Sequence, residues 1–286
     1  MRVSISGSSG LIGQALIEAF TDKGWIFHSI PRNAYAQPDE EFLQKNIEGA
    51  EVVINLAGAP ILKRWTDKYK KEILESRITP TRKIVTAINQ AQVKPRLFIS
   101  TSAIGIYDST NSHDEGSTAF ADDFLGRLCI DWESEAFHAK SCTRVVVLRT
   151  GIVLSRKGGA MKAMHRYFSI GLGGVIGKGD QSFSFIHIRD LMSLYKFILE
   201  NENISGIVNA VSPNPISNSH FTKILGRVLV QPTVFRIPVR ILKAKYGEAA
   251  ETLIKGQNVI PKKLANNGFV FEYPTIEKTL LNLYRI

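Results

Sequence analysis

The sequence contains little of what extracellular, metal-binding or membrane-spanning proteins require. Its 286 residues include two cysteines, Cys129 and Cys142, which are too few for a disulfide framework and do not show metal-ligand spacing. No run of about 18 or more apolar residues is present, so no membrane span is expected. A strand-like pattern begins at Arg2, which leaves no room for a targeting peptide. These absences predict a cytoplasmic protein without a metal site or a membrane partner.

Acidic residues are the minority, with 26 Asp and Glu against 36 Lys and Arg, and the net charge is +10. They are also unevenly placed. Residues 140–166 contain seven Lys or Arg and no acid, whereas residues 114–135 contain seven acids and one Arg. This segregation suits a cleft for phosphates, and it equally suits a solvated basic surface. Zinc-finger, recognition-helix and RNA-binding aromatic patterns are absent, so nucleic acid is not an expected partner.

Short apolar segments alternate with helical patterns through the first two thirds of the chain. Residues 52–56 form a continuous apolar run, which is typical of a strand buried on both faces of a parallel sheet. The alternation predicts an α/β fold, a Rossmann-type doubly wound parallel sheet with right-handed crossovers. Strands are predicted near residues 3–5, 25–30, 52–56, 96–100, 144–149 and 207–211, and helices at 12–20, from about 67, at 80–91 with Thr79 as cap, at 123–139 and at 190–200.

Beyond Gly151 the pattern becomes less regular. Glycines concentrate in residues 158–179, which predicts a loop-rich segment able to reach over a ligand. A helical pattern at residues 221–228 follows, and then short helices interrupted at prolines and a glycine. We therefore predict a Rossmann domain over residues 1–212 and a smaller, mostly helical C-terminal lobe on the substrate side over residues 213–286.

A glycine-rich turn lies between the first predicted strand and the first predicted helix. Gly7 permits the tight turn, Gly10 lets the backbone approach a pyrophosphate, and Gly13 lets the helix pack closely on the strand. Backbone N–H groups and the positive helix end would then meet the phosphates. The context of strand, turn and amphipathic helix predicts a dinucleotide site. Its predicted contacts are Gly7, Ser8, Ser9, Gly10, Leu11, Ile12 and Gly13.

The second predicted strand lacks the acidic residue that would hold the ribose 2′-hydroxyl of NAD. Neither Asp nor Glu occurs between Trp25 and Gln37, and Arg32 follows the strand end. A guanidinium at this place binds a 2′-phosphate in a two-pronged way, although Arg32 is also compatible with a plain surface position. The pattern predicts NADP(H) as the cofactor.

Together these segments resemble the short-chain dehydrogenase/reductase superfamily, in its extended, sugar-nucleotide-epimerase-like part. They are most similar to the branch called NAD-dependent epimerase/dehydratase "epimerase family protein", and the likeness covers nearly the whole chain. The residues that carry it are Gly7–Gly13, Asn55–Gly58 with Arg64-Trp65, Glu75–Arg77 with Thr81-Arg82, Ser100–Gly105, Leu148–Leu154, Phe185–Asp190, and a C-terminal tail from Asn209 to Pro274.

The resemblance implies further cofactor contacts. Leu56, Ala57 and Gly58 would line the adenine and ribose side, Glu72 and Arg77 match positions associated with NADP, and Val153 would lie near the nicotinamide, with Ser100 also in the site. Glu72 and Arg77 have a simpler interpretation as a salt bridge within a helix, although a spacing of five residues is not ideal for that.

The chemistry of the superfamily depends on a Tyr four residues before a Lys, and this sequence has no such pair. Ser102 matches the superfamily's serine position and Tyr107 follows it, so these are the candidate catalytic residues, although both also suit structural positions. His187 and Cys129 are weaker candidates. The substrate is an unidentified small molecule, and two hypotheses follow for the activity of the protein. The protein is an NADP-dependent oxidoreductase or sugar-nucleotide-type epimerase with a rearranged proton donor, or it binds NADP(H) without turnover in a regulatory or redox-sensing role.

Overall fold

The computed structural model describes residues 1–35 and 41–284. Residues 36–37, at the end of the acid-free stretch 25–37, lie outside the described residues, and so do residues 285–286 of the predicted C-terminal lobe. The strands are β1 (Arg2–Ser6), β2 (Ile26–Ile30), β3 (Val52–Asn55), β4 (Leu97–Ala103), β5 (Ser112–His113), β6 (Arg144–Thr150), β7 (Ile152–Leu154), β8 (Gly174–Ile176), β9 (Ser182–Phe183), β10 (Phe185–His187), β11 (Gly206–Ala210), β12 (Ile216–Ser217), β13 (Phe235–Ile237) and β14 (Asn258–Val259). The helices are α1 (Leu11–Phe20), α2 (Glu41–Ile47), α3 (Asp67–Gln90), α4 (Phe124–Phe137), α5 (Gly159–Phe168), α6 (Ile188–Glu200), α7 (Asn218–Val228), α8 (Val239–Tyr246), α9 (Glu251–Ile254), α10 (Lys262–Asn266) and α11 (Ile276–Tyr284).

Six parallel strands form the central sheet in the order β11-β6-β4-β3-β1-β2. The chain builds outward from β1 to β2 and then returns to build the other half from β3, so the order reverses between β1 and β3. Ligands of open α/β sheets bind at the carboxyl ends of the strands at such a reversal. The predicted Rossmann-type doubly wound sheet is confirmed.

The sheet is covered on both faces, as its apolar strands require. Val3, Ile5 and Ile54 pack with α1 and α6 on one face, while Val53 and Phe98 pack with α2 and α3 on the other. All five side chains are fully buried. Sequence analysis did not predict α2, a seven-residue helix that buries Leu43 and Ile47.

The prediction of two helices at residues 67–91 is wrong, because α3 is one helix of 24 residues that contains Pro80. A proline inside a helix removes one backbone hydrogen bond, which usually favours a break. Here the buried side chains of Ile73, Ile84 and Ile88 hold both halves of the helix against the core. Thr66 caps the helix, since its side chain accepts a hydrogen bond from the Tyr69 backbone N at 3.2 Å.

The segment at residues 158–179 is more regular than predicted, since it contains α5 and β8 as well as loops. Met161 and Phe168 of α5 are buried in the apolar core of the smaller lobe. That core combines residues 152–187 with residues 216–284, so the lobe is discontinuous in sequence. Two small sheets join these two stretches, since β13 pairs with β8 and β12 pairs with β9. A third small sheet joins the C-terminal stretch to an earlier part of the chain, since β14 pairs with β5.

Within residues 1–35 and 41–284, no helix has the length and apolar character that crossing a membrane requires.

Candidate functional site

The glycine turn lies at the sheet's reversal point, and its backbone leaves no room for side chains at two positions. Gly7 has φ 68°, and a Cβ there would lie 2.6 Å from the Leu56 carbonyl oxygen. A Cβ at Gly13 would lie 2.5 Å from the Gly7 carbonyl oxygen, which is why α1 approaches β1 so closely. Gly10 precedes α1 in an extended conformation (φ −76°, ψ 169°) that any residue adopts. A Cβ at Gly10 would lie 3.2 Å from the Gly7 carbonyl oxygen, so the local fold limits this position less than it limits Gly7 and Gly13.

A cleft of about 970 Å³ opens from this turn toward the start of α3. Arg32, which begins a short 3-10 helix directly after β2, lies on its wall together with Lys63, Lys68 and Lys71. Such a concentration of cations suits phosphate groups. Seven predicted cofactor-binding residues line the cleft, namely Gly7, Ser8, Ser9, Arg32, Ala57, Gly58 and Glu72.

A second cleft, of about 370 Å³, lies on the other side of the same turn and shares Gly7 with the first. Its walls come from the start of α1, the end of β4, β7 and the start of α5. The predicted residues that line it are Gly7, Gly10, Leu11, Ile12, Gly13, Leu56 and Val153. The two clefts together therefore bring thirteen of the predicted cofactor-binding residues around one turn.

Arg32 and Glu72 form an ion pair across the larger cleft, with 3.6 Å between Arg32 Nη2 and Glu72 Oε1. The side chains are 85% and 45% exposed, so the pair is weak and Arg32 is free to exchange its partner. The salt bridge considered between Glu72 and Arg77 does not form, because Glu72 points to Arg32.

Arg77 lies beneath the cleft and is not among its lining residues. Its Nη2 donates to the Ala59 carbonyl oxygen at 2.9 Å, and its Nη1 donates to the Ile73 carbonyl oxygen at 3.1 Å. A Cβ at Gly58 would lie 3.0 Å from its Cζ, so the loop rests directly on the guanidinium. Burial lowers the pKa of Arg77. In this position Arg77 holds the loop at Gly58 and Ala59 from below.

Ser100 is also buried, in a polar network under the end of β3 that sequence analysis did not identify. Asn55 is its centre: its Oδ1 accepts from Ser6 Oγ at 2.6 Å, and its Nδ2 donates to Thr81 Oγ1 at 2.8 Å and to Ser100 Oγ at 3.5 Å. The Ala57 backbone N also donates to Asn55 Oδ1, at 3.3 Å. An asparagine within the apolar run of β3 was the available signal for such a network.

Ser102 and Tyr107 belong to a second buried network, and neither lines the two clefts. Ser102 Oγ donates to Glu133 Oε1 at 2.6 Å. Arg149 binds the same carboxylate with two nitrogens, at 2.9 and 2.7 Å, and donates to the Tyr107 hydroxyl at 2.8 Å. That hydroxyl lies 2.9 Å from Asn209 Oδ1. Burial raises the pKa of Tyr107, so it keeps its proton at neutral pH.

The two weaker candidates, Cys129 and His187, do not line the two clefts at the glycine turn. Burial raises the pKa of the Cys129 thiol to about 12, so the thiolate needed for nucleophilic attack does not form at neutral pH. His187 caps α6, because its Nδ1 accepts from the Arg189 backbone N at 3.0 Å. Burial lowers the pKa of His187 to about 4, so the ring is neutral at pH 7.

The parallel sheet and the glycine turn at its reversal point define a Rossmann-fold protein. The chain belongs to the NAD dependent epimerase/dehydratase family, whose sequence profile matches residues 3–210. Residues 237–283 match a second profile, described as a Domain of unknown function (DUF1731). The resemblance drawn from the sequence is thereby confirmed.

Similar proteins span almost the same length. The chain is 35% identical to the Epimerase family protein SDR39U1 homolog, chloroplastic, of Arabidopsis thaliana, over 98% of this chain and 86% of that protein. It is 38% identical to the Epimerase family protein Mb2239 of Mycobacterium bovis, over 97% and 96%. The crystal structure of the human epimerase family protein SDR39U1 (isoform2) with NADPH is 32% identical and superposes with a TM-score of 0.93, covering 100% of this chain and 99% of that chain.

Proposed function

We propose that the protein binds NADP(H) in the two clefts at the glycine turn and exchanges hydride with a small-molecule substrate. The observation that carries this is the continuous wall from the bare turn at Gly10 to the exposed Arg32, at the position where NAD-binding proteins carry an acid. The likeness to a human protein solved with NADPH supports the same cofactor. When bound, the nicotinamide would supply a hydride donor or acceptor.

The residues of this chain fit the cofactor by shape and charge. Gly10 leaves space at the start of α1, where unpaired backbone N–H groups favour a pyrophosphate. Arg32 is the proposed partner of the 2′-phosphate, in exchange for Glu72. Val153 lines the smaller cleft, which we propose holds the nicotinamide side. Arg77 and Ser100 are proposed to act indirectly, by positioning the loops that contact the cofactor.

The smaller lobe would contribute the substrate side; we propose that it comprises the C-terminal residues from 213 onward together with the stretch 152–187 that shares their apolar core. Lys70 Nζ lies 2.5 Å from Glu248 Oε2, and Arg64 Nη1 donates to the Ala244 carbonyl oxygen at 2.8 Å. These contacts bring α8 and the turn after it next to the lysines of the larger cleft. The smaller cleft is lined by Ile152, Gly159 and Ala160, next to the apolar core that the C-terminal residues complete. A substrate bound there would therefore meet both parts of the chain.

We also propose a reducing, cytoplasm-like compartment for this chain. Cys129 is buried and Cys142 partly buried, and both are free thiols. Proteins of oxidising compartments more often use their cysteines in disulfides.

We expect Arg32→Ala to weaken NADPH binding by about 10- to 100-fold, because a hydrogen-bonded contact to a charged group contributes about 1.5–3 kcal/mol. Affinity for NADH should not change, because NADH has no 2′-phosphate. Calorimetric titration of both cofactors measures this. Arg127→Ala is the matched control, since Arg127 is exposed and paired with Asp122 away from the clefts. Equal affinities of the native protein for NADPH and NADH would refute the assignment.

Turnover is expected to be slow, because the Tyr–Lys pair is absent and the protons of Ser102 and Tyr107 are held in a buried network. A positioned acid or base contributes about 100- to 10,000-fold in rate. We expect weak reduction of simple aldehydes, ketones and UDP-sugars with NADPH, and a further loss in the double variant Ser102→Ala, Tyr107→Phe. Rapid reduction that persists in this double variant would exclude both residues. Tight NADPH binding without turnover across the whole screen would instead identify a protein that binds the cofactor without catalysis.

A further inference from the structure

The Lys and Arg side chains of the basic stretch, residues 140–166, do not line the two clefts of the proposed cofactor site. Residues 136–179 contain no Asp or Glu, and neither do residues 203–247. The pairing of β8 with β13 brings these two stretches together in the smaller lobe. One side of that lobe therefore carries cations without nearby acids in the sequence to balance them.

Two neighbouring loops on this side carry exposed apolar side chains. We call them the tip loops: residues 169–173, between α5 and β8, and residues 229–234, between α7 and β13. They are adjacent, since a Cβ at Gly171 would lie 3.6 Å from Gln231 Oε1. Their exposed apolar side chains are Ile170 (65% exposed), Leu172 (55%), Val230 (84%) and Val234 (78%), with Phe235 (52%) directly after them.

Val230 is held in an unfavourable backbone conformation at the most exposed of these positions. Its φ is 53°, in the left-handed region that β-branched residues rarely adopt, and it is the one non-glycine residue with positive φ in the described part of the chain. This conformation ends α7, because the Gln231 backbone N donates to the Gly226 carbonyl oxygen at 2.9 Å. A largely exposed valine therefore occupies a helix-end position where glycine is the usual residue.

Four arginines lie close in sequence to the tip loops. Arg166 lies in the last turn of α5, Arg227 in the last turn of α7, Arg236 in β13 and Arg240 at the start of α8. All four are exposed, and none forms an ion pair with another residue of the described ranges. Exposed apolar tips and unpaired arginines together match a partner that is both anionic and apolar.

We propose that the tip loops bind reversibly to the surface of an anionic lipid bilayer. The apolar tips would enter the headgroup region while the arginines meet lipid phosphates. A second copy of the chain is a poor occupant, because a symmetric contact would place these arginines against one another. A protein partner is less favoured, because valine and leucine are under-represented among the residues that anchor protein interfaces. This peripheral contact goes beyond the proposed function. It departs from the expectation of no membrane partner, which rested on the lack of a membrane-spanning segment.

Flotation with vesicles of phosphatidylcholine, with or without about 30% phosphatidylglycerol, tests the proposal. The full-length protein should float with the anionic vesicles and not with the neutral ones. Val230→Asp should reduce the bound fraction about tenfold, because an apolar side chain would no longer be buried. Val270→Asp is the matched control: Val270 is 83% exposed, outside the tip loops, and its variant has the same charge. An unchanged NADPH affinity in each variant would show that its fold is intact.

A pair of charge reversals separates a specific site from the general attraction of a basic protein. Arg227→Glu with Arg236→Glu should abolish flotation, whereas Lys23→Glu with Lys278→Glu, of the same net charge, should retain most of it. Two outcomes overturn the proposal: no flotation with anionic vesicles at low salt, which would leave an acidic protein as the partner to seek, or equal losses in the tip-loop and control variants.

Discussion

Replacement of Gly10 by valine is expected to abolish NADPH binding while the protein remains folded. Gly10 has an extended backbone conformation, and a Cβ there would lie 3.2 Å from the Gly7 carbonyl oxygen, so the chain needs to adjust by only a few tenths of an ångström. The branched side chain would occupy the place where a pyrophosphate approaches the start of α1. We expect an affinity loss of about 100-fold or more, since each hydrogen bond to a charged group contributes about 1.5–3 kcal/mol.

Calorimetric titration measures the NADPH affinity of the Gly10→Val variant, and thermal unfolding measures whether the variant remains folded. Gly116→Val is the matched control, because a Cβ there would lie 3.3 Å from Asp114 Oδ1, a similar approach outside both clefts. Gly13→Ala should behave differently from both, since its Cβ would lie 2.5 Å from a carbonyl oxygen and the fold itself should weaken. Unchanged NADPH affinity in Gly10→Val would mean that the turn serves only the fold.

Removal of Arg149 is expected to be the most destabilising single charge change. The Arg149 and Glu133 side chains are 5% and 7% exposed and lie 2.7 Å apart. Arg149→Met would leave the Glu133 carboxylate buried without its cation, which costs about 3–5 kcal/mol of the free energy of unfolding. Equilibrium unfolding in urea measures the loss.

The double variant Glu133→Gln, Arg149→Met should recover part of that stability, because no unpaired charge remains in the core. Arg127→Met serves as the exposed counterpart: Arg127 and Asp122 also lie 2.7 Å apart, but their side chains are 70% and 92% exposed, so little loss is expected. If Arg149→Met and Arg127→Met destabilise the protein equally, the buried pair does not have the role described here.

The central sheet and the glycine turn were predictable because their signals are local. Continuous apolar runs mark strands that are covered on both faces. The glycine at position 7 is required by its own positive φ, and the glycine at position 13 by the backbone of residues 7 and 8. Pro80 misled for the opposite reason: the local cost of a proline was outweighed by packing of distant residues along α3. The short strands of the smaller lobe pair with segments far away in sequence, and they are too short to show the alternating apolar pattern from which strands are predicted.

The roles of side chains in the candidate site were likewise predictable only where the signal is local in the sequence. Arg32 lines the larger cleft, and the missing acid after β2 that drew attention to it is visible in the sequence. Its contact with the cofactor stays a prediction. Arg77 and Ser100 lie beneath the loops, and spacing along a helix or strand does not distinguish a residue in a cleft from one below it. The catalytic roles of Ser102 and Tyr107 stay predictions, now with the partners Glu133 and Asn209 known.

The discontinuous smaller lobe determines when this protein can finish folding. During synthesis the six strands of the central sheet are all available once residue 210 has emerged. At that stage Met161, Phe168 and Phe185 have no apolar partners from α7 and α11, and β5 lacks β14. Non-local contacts of this kind form slowly, because a long intervening chain must be closed first. The nascent protein thus passes through a period in which the central sheet can be complete while apolar side chains of the smaller lobe are exposed, and chaperone capture is then of greatest use.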